Sequence, residues 1–505
     1  MKKMSRLNKL LTSCILLCST SVSVQAQPLI MSAELNAELS EAIDTQKTSS
    51  VKTNQSPDKQ LNFVYLIIDD LRTELNAYGL EDMKTPHIDQ LASEGVLFEK
   101  AFSNVATCGA SRSSIMTGLY PTQTRFTHWY SRMDEHAPGI ITLAEQLKNN
   151  GYHTQSLGKV NHTLEDTLQM WSVEPWVAEA IQTKDYQKPE NIELLKKTGK
   201  GPAWEILDVD DFTHKDGRVT LKALNTLEKL AEKKQPFFLA IGLQKPHLPF
   251  VVPKKYFDMY PIDSISLPNV STFPKSAPIQ AWHGSGELRN YSGMGKMPKN
   301  AASDSLTLST KIALIRGYKA STSYVDTLVG IINDKIKALN LDDNTVVILT
   351  GDHGFSLGEH SIWNKHSTFN IAAQSPLLIK APGIEGNKRV KGVVEFVDIY
   401  PTVVSLANID APKHLQGTDL TPALTDENFT KGAIFHRHRF NEGEAIRTAR
   451  YSYSLYFDNK GHETAQMLYD HQNDPDEAVN VAEQEAYKTV VASLKKRLLA
   501  HMQSR

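Results

Sequence analysis

Cysteine is almost missing from this chain. Three occur in 505 residues, and two of them, Cys14 and Cys18, fall within the first twenty. An excess of charge of one sign is missing too: 55 Lys+Arg stand against 57 Asp+Glu. No overall field would draw the chain to nucleic acid or to an anionic membrane, so any anionic ligand must be held by a local site. Long apolar runs are absent beyond the N-terminus, where none approaches the ~18 residues of a membrane span. There is no internal repeat.

The N-terminus supplies what the rest lacks. Lys2, Lys3, Arg6 and Lys9 precede an apolar run from Leu10 to Val24, and Val24-Gln25-Ala26 offers small residues for cleavage. This pattern is that of a bacterial secretory signal peptide over residues 1–26, so a secreted or periplasmic location is expected. Cys18 as a lipid acceptor is the less favoured alternative, because Leu17 is a poor residue to precede it. Cleavage would leave Cys108 as the sole cysteine, which excludes a disulfide framework in a compartment that permits one.

Residues 27–60 are rich in Ser, Thr, Glu, Gln and Lys and read as a disordered linker. From Leu61 onward, apolar strand patterns alternate with helical ones. "FVYLII" (Phe63–Ile68), "YHTQSL", "PFFLAIGL" (Pro236–Leu243), "NTVVILT" (Asn344–Thr350) and "PLLIKAPG" (Pro376–Gly383) are strand candidates. Helices are expected after Thr85-Pro86, after the capping box Thr142-Leu-Ala-Glu145, over 218–233 and 306–338, and in "VDIYPTVVSLA". Such alternation predicts an α/β fold, a mostly parallel sheet sandwiched by helices, over residues 61–425. Residues 426–505 change texture and predict a smaller C-terminal α+β subdomain with an antiparallel sheet and a closing helix over 484–503.

Open parallel sheets place ligands beyond the carboxyl ends of their strands. Asp69-Asp70 follow the first strand, and Gly351-Asp352-His353 follow "VVILT". Gly158-Lys159 and His162 follow a third strand, and Lys245 and His247 a fourth. Taken singly, Asp69-Asp70 could be a helix cap, Asp352-His353-Gly354 a turn, Lys365 a solvated lysine and His162 a loop histidine. Together the carboxylates would repel unless a cation neutralised them, and oxygen-rich sites suit calcium or magnesium. Cys108 precedes "SRSSIMTG", which reads as a short helix starting near Ser111. A helix N-terminus favours anions, and Arg112 adds a forked cationic donor.

The stretch "CGASRSSIMTG" resembles the signature of the type I sulfatases, Cys-x-Pro/Ala-Ser-Arg followed by Thr-Gly. "LIIDDLRTELNAYG", "TPHIDQLASEGVLFEKAF", "GKVNH", "KPHLPF", "TGDHGFSLGEHSIWNK" and "MLYDHQNDPDEAVNVAE" recur in the family's order, and four of these motifs are similar to the iduronate-2-sulfatase-like branch. The resemblance implies an alkaline-phosphatase/sulfatase-like fold and hydrolysis of sulfate esters. It implies that Cys108 is oxidised by a maturation enzyme to formylglycine, with Ala110 at a position where many members carry Pro. It further implies one divalent cation, taken as Ca2+, held by Asp69, Asp70, Asp352, His353 and residue 108.

Arg112, Lys159 and Lys365 would then offset charge on the sulfuryl group. His247 would protonate the leaving sugar oxygen, and His162 would accept the proton that releases sulfate. The expected partner is a sulfated polysaccharide or oligosaccharide, including uronic-acid-containing ones such as ulvan or glycosaminoglycan, read by loops within 165–215 and 265–305. Two other readings share this pattern: a phosphonate or phosphate monoester hydrolase of the same superfamily, and a secreted glycan-binding protein without catalysis.

Overall fold

A computed structural model describes residues 60–179, 184–296, 298, 300, 304–438 and 443–505. The expected signal peptide and all but the last residue of the expected linker lie outside the described residues. Seven strands build the main sheet: β1 (Asn62–Ile68), β2 (Val96–Phe102), β3 (His153–Gly158), β4 (Phe237–Leu243), β5 (Thr345–Gly351), β6 (Leu377–Lys380) and β7 (Lys388–Glu395). Their order across the sheet is β7-β2-β6-β5-β1-β4-β3. Every pairing is parallel except those of β6, which runs antiparallel to both β2 and β5.

Every residue of β1, β4 and β5 is buried, as continuous apolar runs in a doubly covered sheet require. Strand alternation divides β1 between two cores. Phe63, Tyr65 and Ile67 pack with residues of helices α2 (Cys108–Thr117), α3 (Leu143–Asn149) and α6 (Ile399–Leu406). Val64, Leu66 and Ile68 pack with α1 (Pro86–Glu94), α4 (Lys215–Ala231) and α5 (Leu308–Ala338). Burying each such aliphatic side chain contributes about 1.5–3 kcal/mol. The Thr142 hydroxyl caps α3 by accepting the Glu145 N–H at 3.2 Å, as its sequence predicts.

A second sheet of four antiparallel strands follows in simple order: β8 (Ile434–His438), β9 (Gly443–Arg447), β10 (Tyr451–Phe457) and β11 (Glu463–Asp470). Val490, Leu494 and Leu498 of α7 (Lys488–Ser504) cover one face of it, against Ile446, Tyr453, Leu455 and Leu468. This small sheet is tied to the main domain near Cys108, where the Arg437 N–H donates to Asn104 O at 3.0 Å.

Register fixes the next level. Ile68 of β1 aligns with Leu243 of β4 and Gly351 of β5, and Gly158 of β3 aligns with Gly242. Four strands therefore end level, and the polar residues after them open on one edge of the sheet.

Candidate active site

Asp69, Asp70, Asp352 and His353 are fully buried at that edge. One oxygen from each of Asp69, Asp70 and Asp352 lies within 4.8 Å of the others, and Asp70, Cys108 and His353 form a second such group. Asp70 has a left-handed backbone (φ 61°) that two bonds hold in place. Its N–H donates to Asp352 Oδ1 at 3.0 Å, and its carbonyl accepts the Tyr318 hydroxyl of α5 at 2.8 Å. Tyr318 in turn accepts the Arg72 N–H at 2.9 Å.

Cys108 is the first residue of α2, three positions earlier than the sequence suggests. Thr107 is extended (φ −157°, ψ 121°), and its carbonyl accepts the Ser111 N–H at 2.8 Å, so the helix starts at the cysteine itself. Every residue of α2 is buried. Gly109 is required there, because a Cβ would fall 2.0 Å from Trp129 O. Ala110 packs with Val105, Leu119, Phe126 and Ala137.

His353 Nδ1 faces Gly354 O at 2.8 Å, which places the proton on Nδ1. Nε2 then faces Cys108 Sγ at 3.3 Å and Asp70 Oδ1 at 3.7 Å. An imidazole with one nitrogen bonded to a carbonyl and the other turned to carboxylates is a metal-ligand arrangement.

The cations and carboxylates interlock in a shared network. Lys159 Nζ donates to Asp69 Oδ2, and Lys365 Nζ reaches both oxygens of Asp70 at 2.9 and 3.0 Å. Arg112 donates from Nε to Asp352 Oδ2 at 3.0 Å and from Nη2 to Asp69 Oδ1 at 2.9 Å. Its Nη1 serves the carbonyls of Lys159 and Val160. Sequence reasoning aimed Arg112 at an incoming anion; the structure directs it to the acidic cluster, as a clamp joining two strand ends.

His247 Nε2 lies 3.1 Å from Glu287 Oε1 and 3.9 Å from Asp70 Oδ2. Its Nδ1 faces Leu248 O at 2.6 Å. Lys245 turns away, donating from Nζ to the carbonyls of His247 and Pro249 at 2.9 and 2.8 Å, and so braces the loop that carries His247. His162 packs its ring edgewise on Trp129 with centroids 5.3 Å apart, and its buried Nδ1 has no hydrogen-bond partner among the described residues. Burial, with Lys159 beside it, lowers the His162 imidazole to about 3, so the ring is neutral.

Burial opposes ionisation throughout, and the neighbours decide the outcome. For Asp69, Lys159 and Arg112 outweigh burial and hold the carboxyl well below its ordinary range. For Asp70, burial prevails over Lys365 and His247 and pushes the carboxyl up. Burial likewise pushes the Cys108 thiol well up, which makes it a poor thiolate nucleophile as it stands. Asp69, Asp70, Asp352 and Glu287 face three permanent cations, Arg112, Lys159 and Lys365. Three carboxylates and an imidazole nitrogen brought together in this way fit a hard divalent cation.

The same chain matches known proteins along its length. The sulfatase family model matches residues 61–409, and a second one, described as N-sulphoglucosamine sulphohydrolase, C-terminal, matches residues 358–504. The chain is 32% identical over 406 residues to iduronate 2-sulfatase of Homo sapiens, covering 72% of each protein. The chain belongs to the sulfatase family. It is a sulfuric ester hydrolase by that membership. A sulfatase of Formosa agariphila is 28% identical over 473 residues, covering 89% of this chain and 88% of that one. The fold is shared with a phosphonate monoester hydrolase of Agrobacterium radiobacter at a TM-score of 0.72 and 22% identity, covering 88% of this chain and 96% of that one. No described helix of this sulfatase is long and apolar enough to cross a membrane.

Two residues of the sulfatase site escaped sequence reasoning. Glu287, from the loop region expected to read sugar, joins His247 to Lys365, each at 3.1 Å. A single glutamate in an irregular segment carries no local signal, since its partners lie 40 and 78 positions away. Thr107 bonds His366 Nδ1 through its hydroxyl at 3.1 Å and so joins the start of α2 to the loop that carries Lys365.

Proposed function

We propose that this sulfatase hydrolyses sulfate esters of a sulfated polysaccharide or its oligosaccharides, with residue 108 as nucleophile after conversion of Cys108 to formylglycine. The observation that carries the reading is Cys108 at the head of a buried helix, 3.3 Å from His353 and grouped with Asp69 and Asp70. Likeness to iduronate 2-sulfatase supports a uronic-acid-containing glycan, of glycosaminoglycan or ulvan type.

Asp69, Asp70, Asp352 and His353 would hold the cation, taken as Ca2+, which when bound supplies Lewis-acid charge to a sulfuryl oxygen and to residue 108. The hydrated aldehyde supplies one hydroxyl to attack sulfur and a second whose deprotonation expels sulfate. Arg112 fixes the spacing of Asp69 and Asp352. Lys159 and Lys365 place positive charge beside the sulfuryl position. Leu248 O at Nδ1 and Glu287 at Nε2 orient His247, whose Nε2 is the candidate proton donor to the leaving sugar oxygen. Neutral His162, its Nδ1 without a hydrogen-bond partner among the described residues, is the acceptor for the release step.

Two measurements test this together: mass analysis of the peptide containing residue 108, and sulfate release from a panel of defined sulfated oligosaccharides. The aldehyde at 108 and release of one defined sulfate are expected, with slower turnover of phosphate and phosphonate esters. Active protein with an unmodified cysteine, or full activity of Cys108→Ala, overturns the reading.

A further inference from the structure

The aromatic side chains of the described residues are buried or half-buried with one departure. Among the described residues, Trp129 and Tyr130 are the aromatic members of the exposed large apolar set, at 57% and 48%. They are adjacent in sequence and set edge to face, 5.1 Å apart at 85°. Tyr130 also stacks on His128 at 4.6 Å and 9°. Two perpendicular aromatic faces left in water cost hydrophobic free energy unless something covers them.

Their position says what that is. The backbone of Trp129 lies against Gly109, the residue after Cys108, so closely that a methyl group would collide with it. A short turn fixes the segment: the His128 N–H donates to Ser131 Oγ at 2.9 Å, and the Ser131 N–H returns to His128 O at 3.1 Å. The indole is therefore set at a fixed place relative to the nucleophile position. Its inner edge rests on His162, whose Nδ1 is buried without a hydrogen-bond partner among the described residues. His162 and Lys159 also line a cavity of about 230 Å³. Trp129 thus lies between the residue after Cys108 and His162, with Tyr130 beside it.

We propose that Trp129 and Tyr130 form a carbohydrate platform that takes the pyranose ring adjoining the sulfated one. The C–H face of a pyranose is apolar and flat enough to stack on an indole, while its hydroxyls stay in water. This proposal rests on the saccharide reading above and assigns it a subsite outside the sulfate pocket.

Two arms test it. In matured enzyme, kcat/KM is measured for the sulfated oligosaccharide and for its sulfated monosaccharide. Trp129→Ala should lower the oligosaccharide-to-monosaccharide ratio by about tenfold or more, chiefly through KM. Trp129→Phe, which keeps a ring, should hold the ratio within about threefold, since an aromatic face remains. An unchanged ratio in Trp129→Ala overturns the platform, because general damage through His162 lowers both substrates alike.

The second arm needs no turnover. Chemically desulfated tetrasaccharides from heparin and from ulvan are titrated into Cys108→Ala by isothermal titration calorimetry. Binding should appear in Cys108→Ala and be lost when Trp129→Ala is added. Retained binding in the double variant, or none in the single one, overturns the platform. Binding that needs Trp129 in a protein releasing no sulfate from any sugar would uphold the platform and sink the catalytic reading instead.

Discussion

His247 and Glu287 show how much a site depends on a residue with no motif. The histidine was legible because it follows a buried strand; the glutamate was not, because loop contacts across 40 residues leave no periodicity to read. We expect His247→Ala to lower kcat on alkyl sulfates by about 10²–10⁴, the usual worth of a positioned acid, and to affect activated aryl sulfates far less. Equal losses on both would remove His247 from the acid role. Glu287→Gln keeps the shape and removes the charge, so kcat on alkyl sulfates should fall by a smaller factor while KM changes little. Arg112 teaches the opposite lesson. Its sequence reading was a donor to an incoming anion, yet its donors serve the acidic cluster, because a buried guanidinium among carboxylates takes the nearest anions.

At the scale of elements, the buried strands were plain from composition, whereas β2 and β7 were not. "VLFEKAF" and "KRVKGVVE" mix charged residues into their runs, since β7 is an edge strand and β2 lies beside it. The reversal of β6 has a topological cause. The segment after β5 carries Asp352, His353 and Lys365 and enters β6 from the edge at which β5 ends, so the strand must run back. Gly109 sets the fit of α2 to the loop of Trp129. Gly109→Ala should therefore destabilise the fold by about 1–3 kcal/mol through overpacking and reduce activity, measured by thermal melting and sulfate release. An unchanged melting temperature would mean that the loop yields freely.

Glu94, at the end of α1, bonds Lys337 at 2.5 Å and Lys380 at 2.8 Å, linking α1 to α5 and β6. Burial alone would raise its carboxyl, but the two lysines hold it down at about 2, against an ordinary 4.5. Its contribution is thus present above pH 4.5 and is lost as pH falls towards 2. Because the group is a quarter exposed, Glu94→Gln should cost only about 1 kcal/mol at neutral pH. The wild-type and variant unfolding curves should converge in acid. A gap that persists below pH 2 would point to packing rather than charge.

For the whole molecule, the proposed cation and the sheet are one system, since the ligands end β1 and β5 in the middle of the core. Chelation should abolish sulfate release and lower the melting temperature, with both restored by Ca2+. Occupancy at a hundred times Kd is worth about 2.7 kcal/mol to the native state. A chelator-treated protein with unchanged melting and activity would leave the acidic cluster without its proposed role.

The burial of α2 has a further consequence, in time rather than space. Cys108 is only 2% exposed, and its helical neighbours are enclosed with it. An enzyme that must grip this stretch can do so only before the chain closes around it. The proposed conversion would therefore be decided once per molecule, before folding is complete. A chain that folded first would be well formed and permanently silent, and the active fraction of any preparation would preserve the outcome of that early race.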